Sequence, residues 1–375
     1  MEVAAYYFPN WHVSPLNERW HGKGWTEWEL LKAAKPRFPG HRQPIVPAWG
    51  YFDESQPTWA AKEIDLAADH GVTAFLFDWY WYEGASYLHE TLEQGFLKAP
   101  NTGRMKFALM WAIHDWMNIH PALYTNHPEL LAKGSVDAAE FEKVTEYIIE
   151  KYFRQKNYLR VNGGLYFSIY ELSNFIKGLG SLEAAGEALT KFRHRVRKAG
   201  LGELHLNAVV WGISVLPTET KVKNAGELVK MLGFDSGTSY VWVHHFDANA
   251  AGFPQAPYSA ALAANETAWA KYARELPIPY HPNVSMGWDS SPRTTQTSAF
   301  ENRGYPWMST FVGNTPEAFE DALRRAKSFA EKLPPEVRMI TINAWNEWTE
   351  GSYLLPDTVT GTKYLEAIKR VFAPR

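Results

Sequence analysis

The stretch Met339-Ile340-Thr341-Ile342-Asn343-Ala344-Trp345-Asn346-Glu347-Trp348-Thr349-Glu350-Gly351 joins a β-branched run to a loop that carries two carboxylates. The run 339–343 predicts a late strand, so Glu347 and Glu350 are expected at and just past its C-terminal end. An Asn, two Glu and two Trp are poor material for a hydrophobic core. They are typical of a sugar site, because glycosidic bond hydrolysis uses paired acids and aromatic faces under the ring. A loop whose acids cap a helix or pair with arginine is the structural alternative.

Short β-rich runs alternate with longer helical patterns, which is typical of repeated βα units with a parallel sheet. Strands are predicted at Val3-Phe8, Val72-Asp78, Lys106-Trp111, Leu165-Ile169, Leu204-Val210, Gly237-Val243, Asn283-Met286 and Met339-Asn343. Helices are predicted at Thr58-His70, Tyr87-Ala99, Ala138-Arg154, Leu182-Lys198, Ala225-Met231, Tyr258-Glu275, Pro316-Lys332 and Thr362-Phe372. Eight βα pairs predict an α/β fold over residues 1–375, a single-domain (β/α)8 TIM barrel with a long first βα loop.

That first loop, Pro9–Gln56, is unusually long. A segment of this length inside a compact domain is usually functional, and in a barrel it lies at the C-terminal face, where active sites of this fold are built. It contains Trp11, His12, Trp20, His21, Trp25, Glu27 and Trp28. Its glycines and prolines predict a rigid Ω-like cover that forms part of the substrate cleft.

Composition excludes several functional classes. A net charge of −3 leaves no basic field for nucleic acid or an acidic membrane surface. The absence of cysteine removes disulfides and thiolate chemistry. No apolar run is long enough to span a membrane. The start MEVAAYYF reads as a strand, so we expect a soluble protein, either cytoplasmic, or secreted or periplasmic after loss of a signal peptide. With 17 Trp, 19 Tyr and 20 Phe, stacking platforms for sugars are favoured.

Polar and aromatic side chains follow several predicted strands at the face where barrel active sites lie. We predict that Glu347 and Glu350 are catalytic. The residues predicted to bind substrate are Tyr6, Trp25, Glu27, Trp28, Asp78, Tyr80, Trp81, Trp111, His114, Asp115, His244, Trp288, Asp289, Asn346 and Trp348. Each has a structural alternative. Asp78 could pair with a barrel arginine, Asp289 could cap a turn, and the histidines could be satisfied core residues.

The pair His244-His245 raises the question of a metal. Adjacent strand residues point to opposite faces, so both rarely bind one ion, and a single imidazole that contacts a sugar hydroxyl is the better interpretation. No His-Glu-x-x-His helix, Gly-rich phosphate loop or Gly-x-Ser-x-Gly elbow occurs in the sequence. We therefore predict neither a metal nor a cofactor.

Several motifs together resemble a known family. They are Ala5-Tyr6-Tyr7-Phe8-Pro9, Gly22-Lys23-Gly24-Trp25-Thr26-Glu27-Trp28, Tyr80-Trp81-Tyr82, Gly287-Trp288-Asp289 with Pro292-Arg293, and the stretch from Asn343 to Gly351. The chain resembles the WbsX-like proteins, which are allied to the glycoside hydrolase family 99 endo-α-mannosidases. The resemblance spans nearly the whole chain and implies a (β/α)8 barrel that acts on α-linked sugars.

The resemblance also implies roles for the two acids. In family 99 the Asn-Glu-Trp-x-Glu-Gly segment carries both catalytic carboxylates, and those positions match Glu347 and Glu350. The implied route retains the anomeric configuration: Glu347 deprotonates the substrate 2-hydroxyl, which attacks C1 to give a 1,2-anhydro sugar. Glu350 protonates the leaving oxygen and later activates water.

One motif departs from the family pattern. Where WbsX-like proteins usually read Trp-Ala-Asn-Glu-Asn-Trp, this chain reads Trp111-Ala112-Ile113-His114-Asp115-Trp116, which changes the polar lining of the site. We predict a retaining glycoside hydrolase whose partner is an α-linked oligosaccharide or polysaccharide. A glycosyltransferase of polysaccharide assembly is one alternative, although neither an Asp-x-Asp motif nor a basic phosphate cradle is evident. A non-catalytic carbohydrate-binding barrel is another, but it would not need Glu347 and Glu350 together.

Overall fold

The computed structural model describes residues 1–123, 128–221 and 223–373. Eight parallel strands form its centre: β1 Glu2–Tyr7, β2 Ala74–Tyr82, β3 Lys106–Trp111, β4 Gly164–Ile169, β5 Leu204–Val209, β6 Ser236–Thr238, β7 in the two pieces Tyr280–His281 and Asn283–Ser285, and β8 Met339–Asn343. The first piece of β7 pairs with β6, the second pairs with β8, and β8 pairs with β1. The ring therefore closes through β7, which confirms the predicted (β/α)8 barrel.

The break in β7 falls at Pro282, which has no backbone N–H to give to a ladder. The strands themselves are almost fully buried, as strands covered by helices on one side and by the barrel interior on the other must be. This double burial explains why the strand sequences are nearly continuous apolar runs.

Helices surround the barrel and build the loops at its C-terminal face. Their bounds are α1 Pro15–His21, α2 Trp28–Ala33, α3 Pro57–Asp69, α4 Ala138–Ile148, α5 Leu172–Leu179, α6 Leu182–Lys198, α7 Ala225–Leu232, α8 Ala248–Ala251, α9 Tyr258–Glu275, α10 Pro316–Ala330 and α11 Lys363–Phe372. The predicted start of α10 is confirmed, because the Thr315 side chain accepts a hydrogen bond from the backbone N–H of Ala318. Helix α5 was not predicted.

Two predicted elements are wrong in part. The predicted helix Tyr87–Ala99 begins instead as a short strand, Ala85–Tyr87, which pairs antiparallel with the end of β2. A π-helical turn, Thr91–Gly95, and a 3-10 turn, Phe96–Lys98, follow it. Because β2 continues to Tyr82 to form this hairpin, Asp78 lies within the strand rather than at its predicted end.

The predicted strand Gly237–Val243 is also too long. Strand β6 ends at Thr238, and a 3-10 turn, Trp242–His244, follows. The backbone N–H of Trp242 donates to Ser285 Oγ at 3.0 Å, and its indole N–H donates to Asn283 O at 2.9 Å. Hydrogen bonds from Trp242 to β7 thus replace the continued strand pairing that the sequence pattern predicted. The 3-10 turn brings His244 to the mouth of the barrel.

The segment Pro9–Gln56 is more ordered than the predicted Ω-like cover, since it contains α1 and α2. It has a small core of its own: the rings of Trp11 and Trp28 lie 4.2 Å apart and both are buried. The indole N–H of Trp28 donates to Phe52 O at 2.8 Å. Trp28 therefore holds the segment together and is not free to face a ligand.

Two glycines allow the loops after β7 and β8 to touch. Gly351 has φ +63°, and a Cβ there would lie 2.7 Å from Asp289 Cβ. A Cβ on Gly287 would lie 2.6 Å from Gly351 O. The N–H of Asp289 donates to Glu350 O at 2.6 Å. Side chains at either glycine would separate these loops, so both glycines are needed to place Glu350.

Within the described ranges, no helix has the length and apolar character that crossing a bilayer requires.

We expect Trp28→Ala to lower the free energy of unfolding by about 3–5 kcal/mol, the usual cost of deleting a buried aromatic side chain. Chemical denaturation monitored by circular dichroism measures it. Trp25→Ala is the matched control, since Trp25 is only half-buried on the same segment. Equal losses in the two variants would contradict a core role specific to Trp28.

Candidate active site

A cavity with an empty volume of about 710 Å³ opens at the C-terminal ends of the strands. All eight strands or the loops that follow them contribute to it. The lining residues are Phe8, Asp78, Tyr80, Met110, Ala112, His114, Asp115, Trp116, Met117, Ile119, His120, Tyr170, Val215, Leu216, Pro217, Tyr240, Val241, His244, Trp288, Arg293, Tyr305, Glu347 and Glu350. The cavity lies where a (β/α)8 barrel carries its functional groups.

The guanidinium of Arg293 is the centre of this site. Its Nη1 donates to Glu350 Oε1 at 2.6 Å, and its Nη2 lies 3.1 Å from Glu347 Oε2. Its Nε donates to Glu27 Oε1 at 2.8 Å. Tyr305 Oη accepts from Nη1 at 2.5 Å and donates to Glu350 Oε1 at 2.8 Å. One cation thus serves three carboxylates that come from two separate segments, the first loop and the loop after β8.

Glu27 is fixed on several sides. Asn10 Nδ2 donates to Glu27 Oε2 at 2.7 Å, and the Thr349 hydroxyl donates to Oε1. Burial alone would raise the pKa of Glu27, but Arg293, His120 and these two hydrogen bonds outweigh it and lower the pKa. Glu27 is therefore ionised, and we infer that it orients Arg293 rather than exchanging a proton.

The other two acids are shifted in the opposite direction. Burial raises the pKa of Glu347 well above its usual value; Arg293 opposes this shift and Glu350 adds to it. Burial also raises the pKa of Glu350, against the influence of Arg293 and a hydrogen bond from Tyr305. Both carboxyls are almost fully buried, so one cation does not keep both ionised. A raised pKa in a cavity is what proton-transfer chemistry requires.

Asp78 faces the same cavity from the middle of β2. Its Oδ2 accepts from Tyr240 Oη at 2.8 Å, while Oδ1 is buried without a hydrogen-bond partner. Burial raises the pKa of Asp78 well above its usual value, and the bond from Tyr240 only partly offsets this. An unpartnered buried carboxyl oxygen is costly, so Oδ1 is a candidate contact for a ligand hydroxyl.

Another buried acid, Glu219, supports the opposite rim. Its Oε2 accepts the backbone N–H groups of Val215 and Leu216 at 2.7 and 2.8 Å. The Tyr170 hydroxyl donates to Oε1, and His244 Nε2 lies 3.4 Å from Oε2. Glu219 thereby fixes the loop after β5 and the imidazole of His244 in place.

The structure brings together part of the predicted site. Eight predicted residues line the cavity: Asp78, Tyr80, His114, Asp115, His244, Trp288, Glu347 and Glu350. Glu27 joins them through Arg293.

Six predicted aromatic residues do not line the cavity, and five of them lie away from the two acids. Tyr6 lies inside the barrel, where its hydroxyl donates to Ser239 O at 3.2 Å. Trp81 donates to Glu140 Oε1 at 2.8 Å, and Trp111 stacks on Phe141, so both point toward the helical layer. Trp28 is the core residue described above, and Trp25 packs against His21, with their ring centroids 4.3 Å apart.

The two indoles beside the acids are buried as well, so they do not offer the aromatic faces for a sugar ring that the motif predicted. Trp348 stacks on Tyr353 at 4.2 Å, and Trp345 donates to Glu63 Oε1 at 3.1 Å. Each side chain is fully buried, so both rings belong to the packing around the barrel.

Asn346 and Asp289 have structural partners. The Asn346 Oδ1 accepts a hydrogen bond from the backbone N–H of Phe8 at 2.7 Å. Its Nδ2 donates to the Phe8 carbonyl oxygen and to Glu54 Oε1, both at 2.8 Å. Asp289 accepts from Gln43 Nε2 at 2.8 Å, and its Oδ2 lies 2.8 Å from His41 Nε2. Both residues anchor the loops that carry the acids.

Sequence reasoning did not identify several groups. Arg293 was seen only as part of a family motif, because an arginine after a proline carries no sign that three distant acids will meet it. Tyr305, Tyr240 and Tyr170 lie on irregular segments or strand ends and were lost among many aromatic residues. Glu219 follows a loop with no recognisable pattern.

Among the residues that the structure describes, no three His, Asp or Glu side chains gather as a metal site would require.

Comparison with known sequences identifies the family. A family model described as glycosyltransferase WbsX matches residues 3–368. The chain belongs to this family. This match confirms, over nearly the whole chain, the resemblance to WbsX-like proteins that the motifs indicated.

Two proteins of Xanthomonas campestris pv. campestris, from strains B100 and ATCC 33913, are related to it. Each is named uncharacterized protein WxcX and is 27% identical over 381 residues, a match that covers 98% of this chain and 49% of theirs. The chain thus spans about half the length of these relatives.

Solved structures share the barrel of this WbsX-family protein. A GH99 endo-α-mannosidase from Bacteroides thetaiotaomicron, in complex with bis-tris-propane, has a TM-score of 0.61 and 14% identity, covering 98% of this chain and 95% of the other. A glycoside hydrolase-like protein has a TM-score of 0.63 and 15% identity, covering 100% and 94%. The fold is that of glycosidase-like TIM barrels.

We expect Arg293→Gln to raise the pKa values of both Glu347 and Glu350, because the guanidinium favours their ionised forms. Titration of the glutamate carboxyl carbons by ¹³C NMR measures this, and both midpoints should move to higher pH. Arg324→Gln, which alters an exposed ion pair with Glu320, is the matched control and should leave them unchanged. Unchanged midpoints in Arg293→Gln would contradict the central role of Arg293.

Proposed function

We propose that this protein is a retaining glycoside hydrolase that cleaves an α-linked glycan. The observation that carries the proposal is the pair of buried acids, Glu347 and Glu350, which face one cavity and share Arg293. The fold supports it, since it is shared with a GH99 endo-α-mannosidase. Family 99-like chemistry would use the substrate 2-hydroxyl as nucleophile.

Glu350 is proposed as the acid and later the base. A general acid must hold a proton near neutrality, and burial raises the pKa of Glu350 in the required direction. Its hydrogen bonds from Arg293 and Tyr305 both fall on Oε1. Oε2 is therefore the oxygen that can carry the proton to the leaving group.

Glu347 is proposed as the base for the 2-hydroxyl. Its contacts with Arg293, 3.1 and 3.4 Å, are longer than those of Glu350, so the guanidinium restrains its charge less. The raised pKa of Glu347 also makes its ionised form a stronger base than an ordinary glutamate. In the proposed state one proton resides on Glu350 and none on Glu347. This assignment follows the family 99 motif positions and not the pKa directions, since burial raises the pKa of both acids.

The first step forms a bond between O2 and C1 and breaks the bond between C1 and the leaving oxygen. The O2 proton passes to Glu347, and the leaving oxygen takes the proton of Glu350. Water then attacks C1, and the C1–O2 bond of the anhydro ring breaks. The water gives a proton to Glu350, and O2 recovers its proton from Glu347. Two inversions at C1 leave the configuration unchanged.

A glycosyltransferase is the second candidate, because the family description names that activity. A nucleotide-diphosphate donor needs cations around its phosphates. The described residues that line the cavity include Asp78, Asp115, Glu347 and Glu350, with Arg293 the one arginine or lysine among them. Since Arg293 is already paired with three carboxylates, this lining favours a neutral glycan over a diphosphate.

Glu350→Gln should lower turnover of an unactivated α-glycan by roughly 10²–10⁴-fold, because the leaving oxygen loses its proton donor. With an activated aryl leaving group the loss should be much smaller. Steady-state kinetics on both substrates measures the difference, with Glu331→Gln on the exposed end of helix α10 as control. Equal losses on both substrates would argue against Glu350 as the acid.

A substrate that lacks the 2-hydroxyl should not be cleaved at a comparable rate, because it has no nucleophile to attack C1. The parent substrate should first release the product with its original anomeric configuration. Time-resolved ¹H NMR of the product follows the configuration, and intact-protein mass spectrometry with 2-fluoro sugars tests for an adduct. Inversion, or a trapped ester on a carboxylate, would exclude this route while leaving the glycosidase proposal in place.

A further inference from the structure

The cavity has two unlike sides. The acids and Arg293 lie on one side, on or beside β1, β2, β7 and β8. The other side is built by the loops after β3 and β5, which lie across the ring from β8. That side presents the side chains that we call the apolar wall: Ala112, Met117, Ile119, Val215, Leu216 and Pro217.

The apolar wall is held in place rather than loosely draped. Glu219 accepts the N–H groups of Val215 and Leu216, which fixes one half. The loop that carries the other half is tied to the catalytic side, because Ala122 N donates to Arg293 O at 2.7 Å. The distance between the wall and the acids is therefore set by the backbone.

Several polar groups beside the wall are directed to protein partners. Asp115 Oδ1 accepts the N–H of Gly134 at 2.9 Å, and His114 Nδ1 lies 3.0 Å from the Asp115 carbonyl oxygen. The Tyr170 hydroxyl donates to Glu219. Trp116 Nε1 and His120 Nδ1, on the same loop as Met117 and Ile119, are buried without a hydrogen-bond partner. Polar capacity on this side therefore lies at rings beside the apolar wall, and the side chains of the wall itself carry no donor or strong acceptor.

This division has a consequence for a sugar that spans the cavity. A hydroxyl pressed against the apolar wall would lose its hydrogen bonds to water without gaining replacements, which is unfavourable. A methyl group in the same place would be removed from water with a favourable change in free energy.

We infer that the glycan carries a methyl-terminated substituent that packs on the apolar wall, either the C6 methyl of a 6-deoxy sugar or the methyl of an acyl group. This inference rests on the proposed function, since it describes the substrate of the same cavity. It assigns a preference for partly apolar sugars over fully hydroxylated hexoses.

The test uses α-linked disaccharide pairs that are identical except for one group in one ring. One set compares CH3 with CH2OH at C6, and the other compares an N-acetyl group with a free hydroxyl at C2 of the non-cleaved ring. Binding is measured by calorimetry with Glu350→Gln, and kcat/KM with the wild-type protein. We expect the methyl-bearing member of at least one set to be favoured by roughly 10- to 200-fold, the usual effect of one buried methyl or methylene group.

The variants Met117→Gln and Leu216→Gln should each reduce that preference, because they place an amide on the wall. Met231→Gln, an exposed methionine on helix α7, is the matched control and should leave it unchanged. Thermal melting confirms that each variant is folded. Two variants from different loops keep the test valid if one of them unfolds.

The outcomes separate the two claims. Glycan binding or cleavage with no preference, or with preference for the hydroxylated members, would overturn the inference and leave the glycosidase proposal intact. A preference that persists unchanged in both wall variants would also overturn it. Failure of every disaccharide to bind or to be cleaved would overturn both claims.

Discussion

The site depends on one buried cation. Arg293 joins Glu27 from the first loop to Glu347 and Glu350 from the last, and all three pairs are nearly inaccessible to solvent. Removing one member of such a network leaves uncompensated charge in the interior, which typically costs about 3–5 kcal/mol. The network therefore fixes the geometry of the loops. Burial raises the pKa values of Glu347 and Glu350 against the influence of Arg293, while Glu27 stays ionised. Under the proposed function, this arrangement is what proton transfer to and from a glycan requires.

The sequence contained enough to predict the barrel. Buried parallel strands must be apolar along their whole length, so runs such as Met339–Asn343 were visible as strands, and their alternation with helices indicated the topology. The position of Glu347 and Glu350 at the end of β8 follows from the same pattern. The predicted element bounds were wrong where contacts between distant elements outweigh the local sequence pattern. Strand β6, for example, ends early because Trp242 forms hydrogen bonds to β7.

The identity of the lining was harder to predict. Trp345 and Trp348 are neighbours of the acids in sequence. Their side chains nevertheless point away from the cavity, and both indoles are fully buried in the packing around the strand. Conversely, Arg293, Tyr240 and Tyr305 reach the cavity through contacts that join residues far apart in the chain. No periodicity encodes such contacts. The strand pattern pointed to the two acids and the family resemblance supplied their roles, whereas the cation that unites them and the apolar wall of the cavity became visible only in three dimensions.

A crystal structure of Glu350→Gln with an uncleaved α-linked disaccharide tests most directly whether Glu347 and Glu350 act on a glycan in this cavity. We predict that the glycan occupies the cavity between Arg293 and the loop after β5. The glycosidic oxygen should lie about 3 Å from the residue 350 amide, with the 2-hydroxyl of the same sugar directed at Glu347. A sugar bound elsewhere on the barrel, or one in this cavity whose 2-hydroxyl points away from Glu347, would contradict the account.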